Sequence, residues 1–331
     1  MNDRAISLLD HYDIEVLRTR KGRGAILCDT EKGCLIFKEY TGNPEKIKVQ
    51  DRLLEKITDS GLVPVEKILR TKDNELLTED MDGKRYALKT YFDSRECNVY
   101  EIEECIEAVK TLARLHSVMC LNKKEVEKFG LSAFSVGKEY EKHNRELRKV
   151  WRYLRKKSQK LFFETALLQE YDYYLEQALE ISSQWQEFAL ESDLEYIKEE
   201  GLFCHGDYQY HNIIRAGQSF SVINFERSLM DNPVRDLCFF MRKLLEKSNW
   251  SIELGDSLLE AYNSVRPLTA RSFVELYYRL AYPEKFWKIV NFYYNSGKAW
   301  IPERNREKLN TLSGQEVEKQ SFLDAIFRTI P

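Results

Sequence analysis

The residues with the most chemical content stand close together in Cys204-His205-Gly206-Asp207-Tyr208-Gln209-Tyr210-His211-Asn212-Ile213-Ile214, followed by Ser221-Val222-Ile223-Asn224-Phe225-Glu226-Arg227. The HxDxxxxN pattern sets a carboxylate and an amide on one loop, and the apolar hairpin strand after it ends in polar groups. Phosphoryl transfer needs such a set, because one carboxylate must orient the acceptor hydroxyl while an amide oxygen and a second acid hold Mg2+ on the phosphates. Asp207 is the base in this reading, and Asn212 is a metal ligand. The bland reading is a surface loop whose His205 and Asp207 satisfy backbone groups. The restrictive pattern and the strand at the right distance outweigh it. His205, at the start of the loop, is counted with the catalytic set but read mainly as a brace for the backbone.

The elements that must position this loop fall into two textures. Up to about residue 90 the chain reads as short strands, Ile14 to Thr19, Ala25 to Thr30, Cys34 to Tyr40, Val65 to Arg70, Glu75 to Glu79 and Tyr86 to Tyr91, with Gly, Asp and Asn between them. Pro44 to Ser60 is the exception, an amphipathic helix carried by Ile47, Leu53, Leu54 and Ile57 and stopped by Gly61. After residue 100, apolar residues recur at helical spacing, starting with Ile102, Cys105, Ile106, Val109, Leu112 and Ala113. The expected class is α+β, with a small sheet-and-helix lobe over 1–91 and a larger helical lobe over 92–331 that carries the loop of 204–226. Two touching lobes make a cleft, a favoured place for a ligand.

Composition limits the remaining classes. Among 331 residues, 51 Lys and Arg against 54 Asp and Glu give a net charge of -3, which offers no electrostatic case for wholesale nucleic-acid or membrane binding. No apolar run reaches the roughly 20 residues of a membrane span, and Met1 to Asp10 lacks a signal-peptide layout, so synthesis in the cytosol is expected. The seven cysteines never fall in CxxC spacing and read as mostly buried free thiols. A basic run from Arg145 to Lys160, interleaved with Leu147, Trp151 and Leu154, is either a solvated helix face or a surface for nucleic acid or acidic partners. The aromatic residues from Tyr277 to Trp300 read chiefly as core.

The loop resembles that of the aminoglycoside phosphotransferase and choline kinase group. More specific wording resembles CotS-family spore coat proteins: Ser94-Arg95-Glu96-Cys97, Ala261-Tyr262-Asn263-Ser264-Val265-Arg266-Pro267-Leu268, Tyr282-Pro283-Glu284-Lys285-Phe286-Trp287-Lys288 and Tyr293-Tyr294-Asn295-Ser296-Gly297-Lys298-Ala299-Trp300-Ile301-Pro302. With the N-terminal part, the resemblance extends over nearly the whole chain. It implies a two-lobed, protein-kinase-like fold, synthesis in the mother cell, deposition in the endospore coat and other coat proteins as partners.

The resemblance also implies roles for individual residues toward ATP and Mg2+. Lys38 in Leu35-Ile36-Phe37-Lys38-Glu39-Tyr40 takes the place of the strand lysine that meets nucleotide phosphates, and Gly22 and Gly24 lie where backbone N–H groups cover them. Gln50 stands where a helix Glu would pair with that lysine, with Asp51 and Glu55 as nearby substitutes. Asn224 stands where an Asp would hold Mg2+, a loss for a hard cation that prefers charged oxygen. If Asn224 and Glu226 share a strand face, Glu226 could replace the missing ligand. Asp236 matches a family acid expected to stiffen the loop. Two functions follow. One is a structural or scaffolding coat component with impaired catalysis. The alternative is an active ATP-dependent kinase that phosphorylates a hydroxyl of a small molecule.

Overall fold

A computed structural model describes residues 6–22, 24–217, 219–295 and 302–328. The N-terminal part is an antiparallel sheet of β1 (Val16–Lys21), β2 (Ala25–Thr30), β3 (Gly33–Glu39), β4 (Ile68–Leu69), β5 (Thr78–Glu79) and β6 (Arg85–Thr90). Its order is β1-β2-β3-β6-β4, with β5 also on β6. Strand alternation divides the residues of β3 and β6 between two faces. Phe37 and Leu88 pack on one side against Leu8, Leu9 and Tyr12 of an N-terminal helical turn. Ala87 and Lys89 lie on the other, toward α1 (Pro44–Ser60).

Local signals account for α1. Asn43 caps it by accepting from the Glu45 N–H at 2.9 Å, Pro44 occupies the first turn where no N–H is needed, and Gly61 ends it with φ of 67°. Ile47, Gln50, Leu53, Leu54 and Ile57 form its buried stripe. The expected strands near 65–70 and 75–79 shrink to two-residue β4 and β5. Val65 instead bridges Val222 in the C-terminal part, and residues 71–75 close a turn through the Thr71 N–H and the Glu75 carbonyl at 2.9 Å.

The C-terminal part is mainly helical: α2 (Ile102–Val118), α3 (Lys123–Lys128), α4 (Val136–Lys156), α5 (Phe162–Phe188), α6 (Glu191–Glu199), α7 (Val234–Lys247), α8 (Ile252–Asn263), α9 (Ala270–Ala281), α10 (Glu284–Asn295), α11 (Pro302–Gly314) and α12 (Glu316–Ile326). One continuous core joins α1 to these helices, with Leu112, Leu147, Tyr171, Leu237, Tyr262 and Phe286 fully buried. The aromatic expectation holds for Tyr278, Tyr282 and Phe286, whereas residues 296–301 of the distinctive run lie outside the described residues. None of the described helices is long and apolar enough to cross a membrane. All seven cysteines are free thiols, and Cys28, Cys97, Cys105, Cys204 and Cys238 are buried.

Between α6 and α7, β7 (Phe203–Cys204) pairs with β10 (Leu229–Met230), so the two ends of the 204–230 segment are clamped together. Inside it, β8 (Ile213–Ala216) and β9 (Ser219–Val222) make a hairpin. This hairpin touches the N-terminal part on one edge, through Val65 and Val222. On its other edge it meets 95–97, where the Cys97 N–H donates to Ile213 and the Arg215 N–H to Arg95, both at 2.8 Å. The loop is thereby fixed against both parts of the fold.

Candidate functional site

Backbone hydrogen bonds shape the loop at its start. The Asp236 carboxylate, in the first turn of α7, accepts from the His205 N–H at 2.6 Å, the Gly206 N–H at 2.9 Å and His116 Nε2 at 3.1 Å. Burial would raise this carboxyl, but His116 and the backbone donors outweigh burial and hold it below its usual range. Burial also lowers His116, so the neutral ring donates through Nε2 and accepts the Tyr262 hydroxyl at Nδ1, 2.8 Å away. Gly206 has φ of 79°, and a Cβ there would stand 2.1 Å from the Arg227 carbonyl oxygen, so no other residue fits without moving backbone.

His205 is fully buried and spends both ring nitrogens on the backbone. Nε2 lies 2.9 Å from the Ile223 carbonyl, and Nδ1 accepts the Asp207 N–H at 3.1 Å. One acceptor and one donor fit the neutral Nε2–H tautomer, which ties the loop to the end of β9. Asp207, half-buried, accepts from Gln209 Nε2. Asn212 is buried, donates from Nδ2 to the Asp207 carbonyl at 2.8 Å, and its Oδ1 accepts from Asn224 Nδ2 at 2.7 Å.

The segment after β9 is not a continued strand. Asn224 takes the left-handed conformation, φ 66° and ψ 58°, and Phe225–Arg227 form a 3-10 turn. Strand alternation therefore does not align Asn224 with Glu226. The turn does, and both meet Lys38, whose Nζ is 3.5 Å from Asn224 Oδ1 and 3.4 Å from Glu226 Oε1.

Two further residues, not singled out by the motifs, complete the site. Lys89 on β6 and Glu66 have side chains only 3 % exposed, and Lys89 Nζ donates to Glu66 Oε1 at 3.1 Å and to Glu226 Oε1 at 2.7 Å. Glu66 Oε1 also accepts the Phe225 N–H at 3.1 Å and Gln50 Nε2 at 3.5 Å. Gln50 thus faces Glu66, while Lys38 takes its partners from the 224–226 turn. The nearby acids do not replace Gln50 either, because Asp51 pairs with Arg70 and Glu55 with Arg52. The available sequence signal was a lysine inside the otherwise apolar strand Tyr86-Ala87-Leu88-Lys89, on the same face as Ala87, which is the cross-strand partner of Lys38.

A continuous polar chain results, from Gln50 through Glu66, Lys89, Glu226, Lys38, Asn224 and Asn212 to the backbone of Asp207. Burial alone would raise the Glu226 carboxyl, but the ammonium groups of Lys89 and Lys38 overcome burial and hold it well below the usual carboxylate range. Burial alone would lower Lys89, and Glu66 with Glu226 reverse that and raise it. The glycine hairpin is a separate feature. Gly24 supplies a turn residue with φ of 71°, and the Gly22 N–H is spent on the Ala25 carbonyl at 2.9 Å, so it is not free for a phosphate. Arg20 is neutralised by Asp93 and Asp29, and Arg23 lies outside the described residues.

Toward a divalent cation such as Mg2+, which one or two carboxylates hold together with substrate phosphates, the expected ligands Asn212, Asn224 and Glu226 offer one carboxylate and two amides. Asn212 and Asn224 are neutral amides bonded to each other, and the Glu226 carboxylate is held by two lysines. Among the described residues no group of three or more His, Cys, Asp or Glu side chains is placed to hold a metal ion.

The sheet carrying one helix, the helical second part and the HxDxxxxN loop between them define a protein-kinase-like fold of the small-molecule phosphotransferase kind. By TM-score the chain superposes at 0.84 on an aminoglycoside phosphotransferase from Alicyclobacillus acidocaldarius, with 19 % identity over 98 % of this chain and 95 % of that one. It superposes at 0.65 on a spectinomycin phosphotransferase solved with ADP and spectinomycin, with 13 % identity over 95 % and 96 % of the two chains. Residues 6–326 match the family described as spore coat putative kinase YutH, and the chain belongs to that family. Spore coat protein S of Bacillus subtilis (strain 168) is 24 % identical over 332 residues, 96 % of this chain and 90 % of that protein.

Proposed function

We propose that this chain is a structural or scaffolding component of the spore coat, made in the mother cell and deposited in the coat with other coat proteins, and that its kinase-like cleft is catalytically impaired. The observation that carries this reading is the 2.7 Å hydrogen bond from Asn224 to Asn212. It puts an amide donor where two metal-side acceptors would otherwise need a shared cation, and the Lys89 and Lys38 ammonium groups already neutralise Glu226. The fold is kept, and charge internal to the protein replaces what a metal would supply.

The second reading, an ATP-dependent kinase acting on a hydroxyl of a small molecule, draws on Asp207. Its carboxylate stays half-buried rather than sealed, on a loop fixed by Asp236 and His205. In that reading Lys38 meets the phosphates and Asp207 orients the hydroxyl and takes its proton.

Calorimetry with ATP in the presence of Mg2+, Mn2+ or chelator separates the readings. A purely structural cleft gives no heat and no thermal shift. A cleft that binds nucleotide without using metal gives the same affinity with and without chelator. A working kinase binds more tightly with metal, and a hundredfold excess over Kd then stabilises the fold by about 2.7 kcal/mol. Metal-dependent transfer that Asp207→Asn abolishes would overturn the scaffold reading.

A further inference from the structure

We propose that copies of this chain join head to tail, the basic tip of the α4–α5 hairpin of one copy docking into an acidic-rimmed apolar groove beside α6 of the next. This rests on the scaffold reading for its purpose and on different residues for its evidence.

The tip is built from the sequence pattern of α4. Tyr140, Leu147, Val150 and Leu154 bury one face, which turns Arg145, Arg148, Lys149, Arg152 and Lys156 outward in a single stripe at helical spacing. Among the described residues none of these five cations has a carboxylate within ion-pair distance, 4.0 Å. The stripe leads into the turn between the helices, where Phe162 is 72 % exposed and Leu161 and Tyr153 are also exposed. This turn is not a loose end. Buried Glu164 accepts from Lys157 at 2.8 Å, from the Leu161 N–H at 2.7 Å and from the Tyr293 and Tyr294 hydroxyls at 3.1 and 3.3 Å. The apolar side chains are therefore presented by a fixed backbone, so ordering them at an interface costs little.

The groove lies at the far end of the same hairpin. α5 has 27 residues and so separates the two features by roughly 40 Å. The groove holds about 320 Å³, is floored by Val136, Trp185 and Ala189, and is walled by Leu190 and Leu194. Leu190, Leu194 and neighbouring Tyr196 are exposed, at 55 %, 36 % and 57 %. Around them Glu187, Glu191 and Glu195 are exposed and, among the described residues, have no cation within 4.0 Å, whereas Asp193 is taken by Arg271.

The two features are complementary in sign, and both are apolar at their centre. An apolar projection beside unpaired cations meets an apolar hollow lined by Glu191, with Glu187 and Glu195 close by in sequence; within the single chain the projection has only the Arg306 guanidinium 5.5 Å from the Phe162 ring and an edge contact of Tyr153 with Tyr294. The net charge of -3 makes the point sharper, because the cations of the tip are collected against the overall balance of the molecule. Two different patches at opposite ends cannot pair through a twofold axis. They give a heterologous contact, which closes into a ring or grows into a filament. A free polyanion would satisfy the stripe alone and leave the projecting Phe162 and the groove unused.

Sedimentation velocity on the full chain at low salt tests this. Wild type is expected to form a concentration-dependent series of species beyond dimer that retreats toward monomer as salt rises, since the screening length shrinks from about 30 Å at 0.01 M to 3 Å at 1 M. A tip variant carrying Arg148→Gln, Arg152→Gln and Lys156→Gln, and a groove variant carrying Glu187→Gln, Glu191→Gln and Glu195→Gln, should each sediment as monomer. Their equimolar mixture should stop at dimer, because only one competent tip and one competent groove remain. All six side chains are exposed, so circular dichroism and Tm should match wild type.

A monomeric wild type at every concentration overturns the proposal, as do variants that still associate or a wild type that stops at dimer. A tip that binds short duplex DNA without self-association also overturns it and assigns the stripe to a polyanion. Self-association together with metal-dependent phosphotransfer would remove the scaffold reading and leave this contact standing. Monomers without nucleotide binding would do the reverse.

Discussion

Asn224 Nδ2 donates to Asn212 Oδ1 across 2.7 Å, and the same Asn224 turns its Oδ1 toward Lys38 Nζ at 3.5 Å. An aspartate in this place could make the second contact but not the first. Two acceptor oxygens would then face each other, and only a cation between them would relieve the repulsion. The amide bridges Asn212 and Lys38 in a way that a carboxylate could not.

Asn224→Asp is therefore expected to make the protein respond to metal. In chelator the variant should lose about 1 kcal/mol, the net worth of a typical internal hydrogen bond. Mg2+ with ATP should raise its Tm, while wild type stays unmoved by Mg2+ alone. Thermal melts with and without Mg2+ check this. Equal responses from both proteins would show that the Asn212–Asn224 bond does not govern metal access.

Lys89 is expected to be the most sensitive residue of the polar chain. Lys89→Met leaves the Glu66 and Glu226 carboxylates without their shared ammonium in a buried setting, and breaking such a pair from one side costs about 3–5 kcal/mol. Adding Glu66→Gln removes one of the stranded charges and should recover part of the loss. Urea unfolding of the single and double variants measures both terms. A loss below about 1 kcal/mol for Lys89→Met would mean that water reaches the pair and screens it.

Acid should weaken the fold partly through Glu226. Its folded-state pKa is depressed, so the stability it contributes is fully present above the unfolded value near 4.3 and is lost as pH falls through the folded value. Glu226→Gln, which cannot titrate, should be less stable than wild type at neutral pH. The gap should narrow progressively below about pH 5. Lys89 has the opposite sign, since its pKa is raised: its contribution is present below about pH 10.4 and is lost only at higher pH. Urea midpoints for both proteins across the acid range decide the matter. A gap that stays constant down to low pH would show that Glu226 is held by packing rather than by the two lysines.

Much of this protein is legible in its sequence because the signals are local. The stripe of α1 between Asn43 and Gly61, the alternation of β2 and β3, and the HxDxxxxN spacing each depend on residues a few positions apart. Backbone geometry converts such spacing directly into elements and turns. The family resemblance runs along the same chain and carries the fold with it.

The partners of the charges were decided by the tertiary structure. Lys89 and Glu226 are 137 residues apart, and Lys38 and Asn224 are 186 apart. They meet only because β3 pairs with β6, Val65 bridges Val222, and the turn after β9 departs from strand geometry at Asn224. Gln50 marked a missing ion pair in the sequence, but nothing near it could reveal that Glu66 and Lys89 would supply another. Periodicity specifies which face a residue occupies. Only the packing of sheet, helix and loop specifies which charge lies opposite, and in a buried site that choice sets the electrostatics.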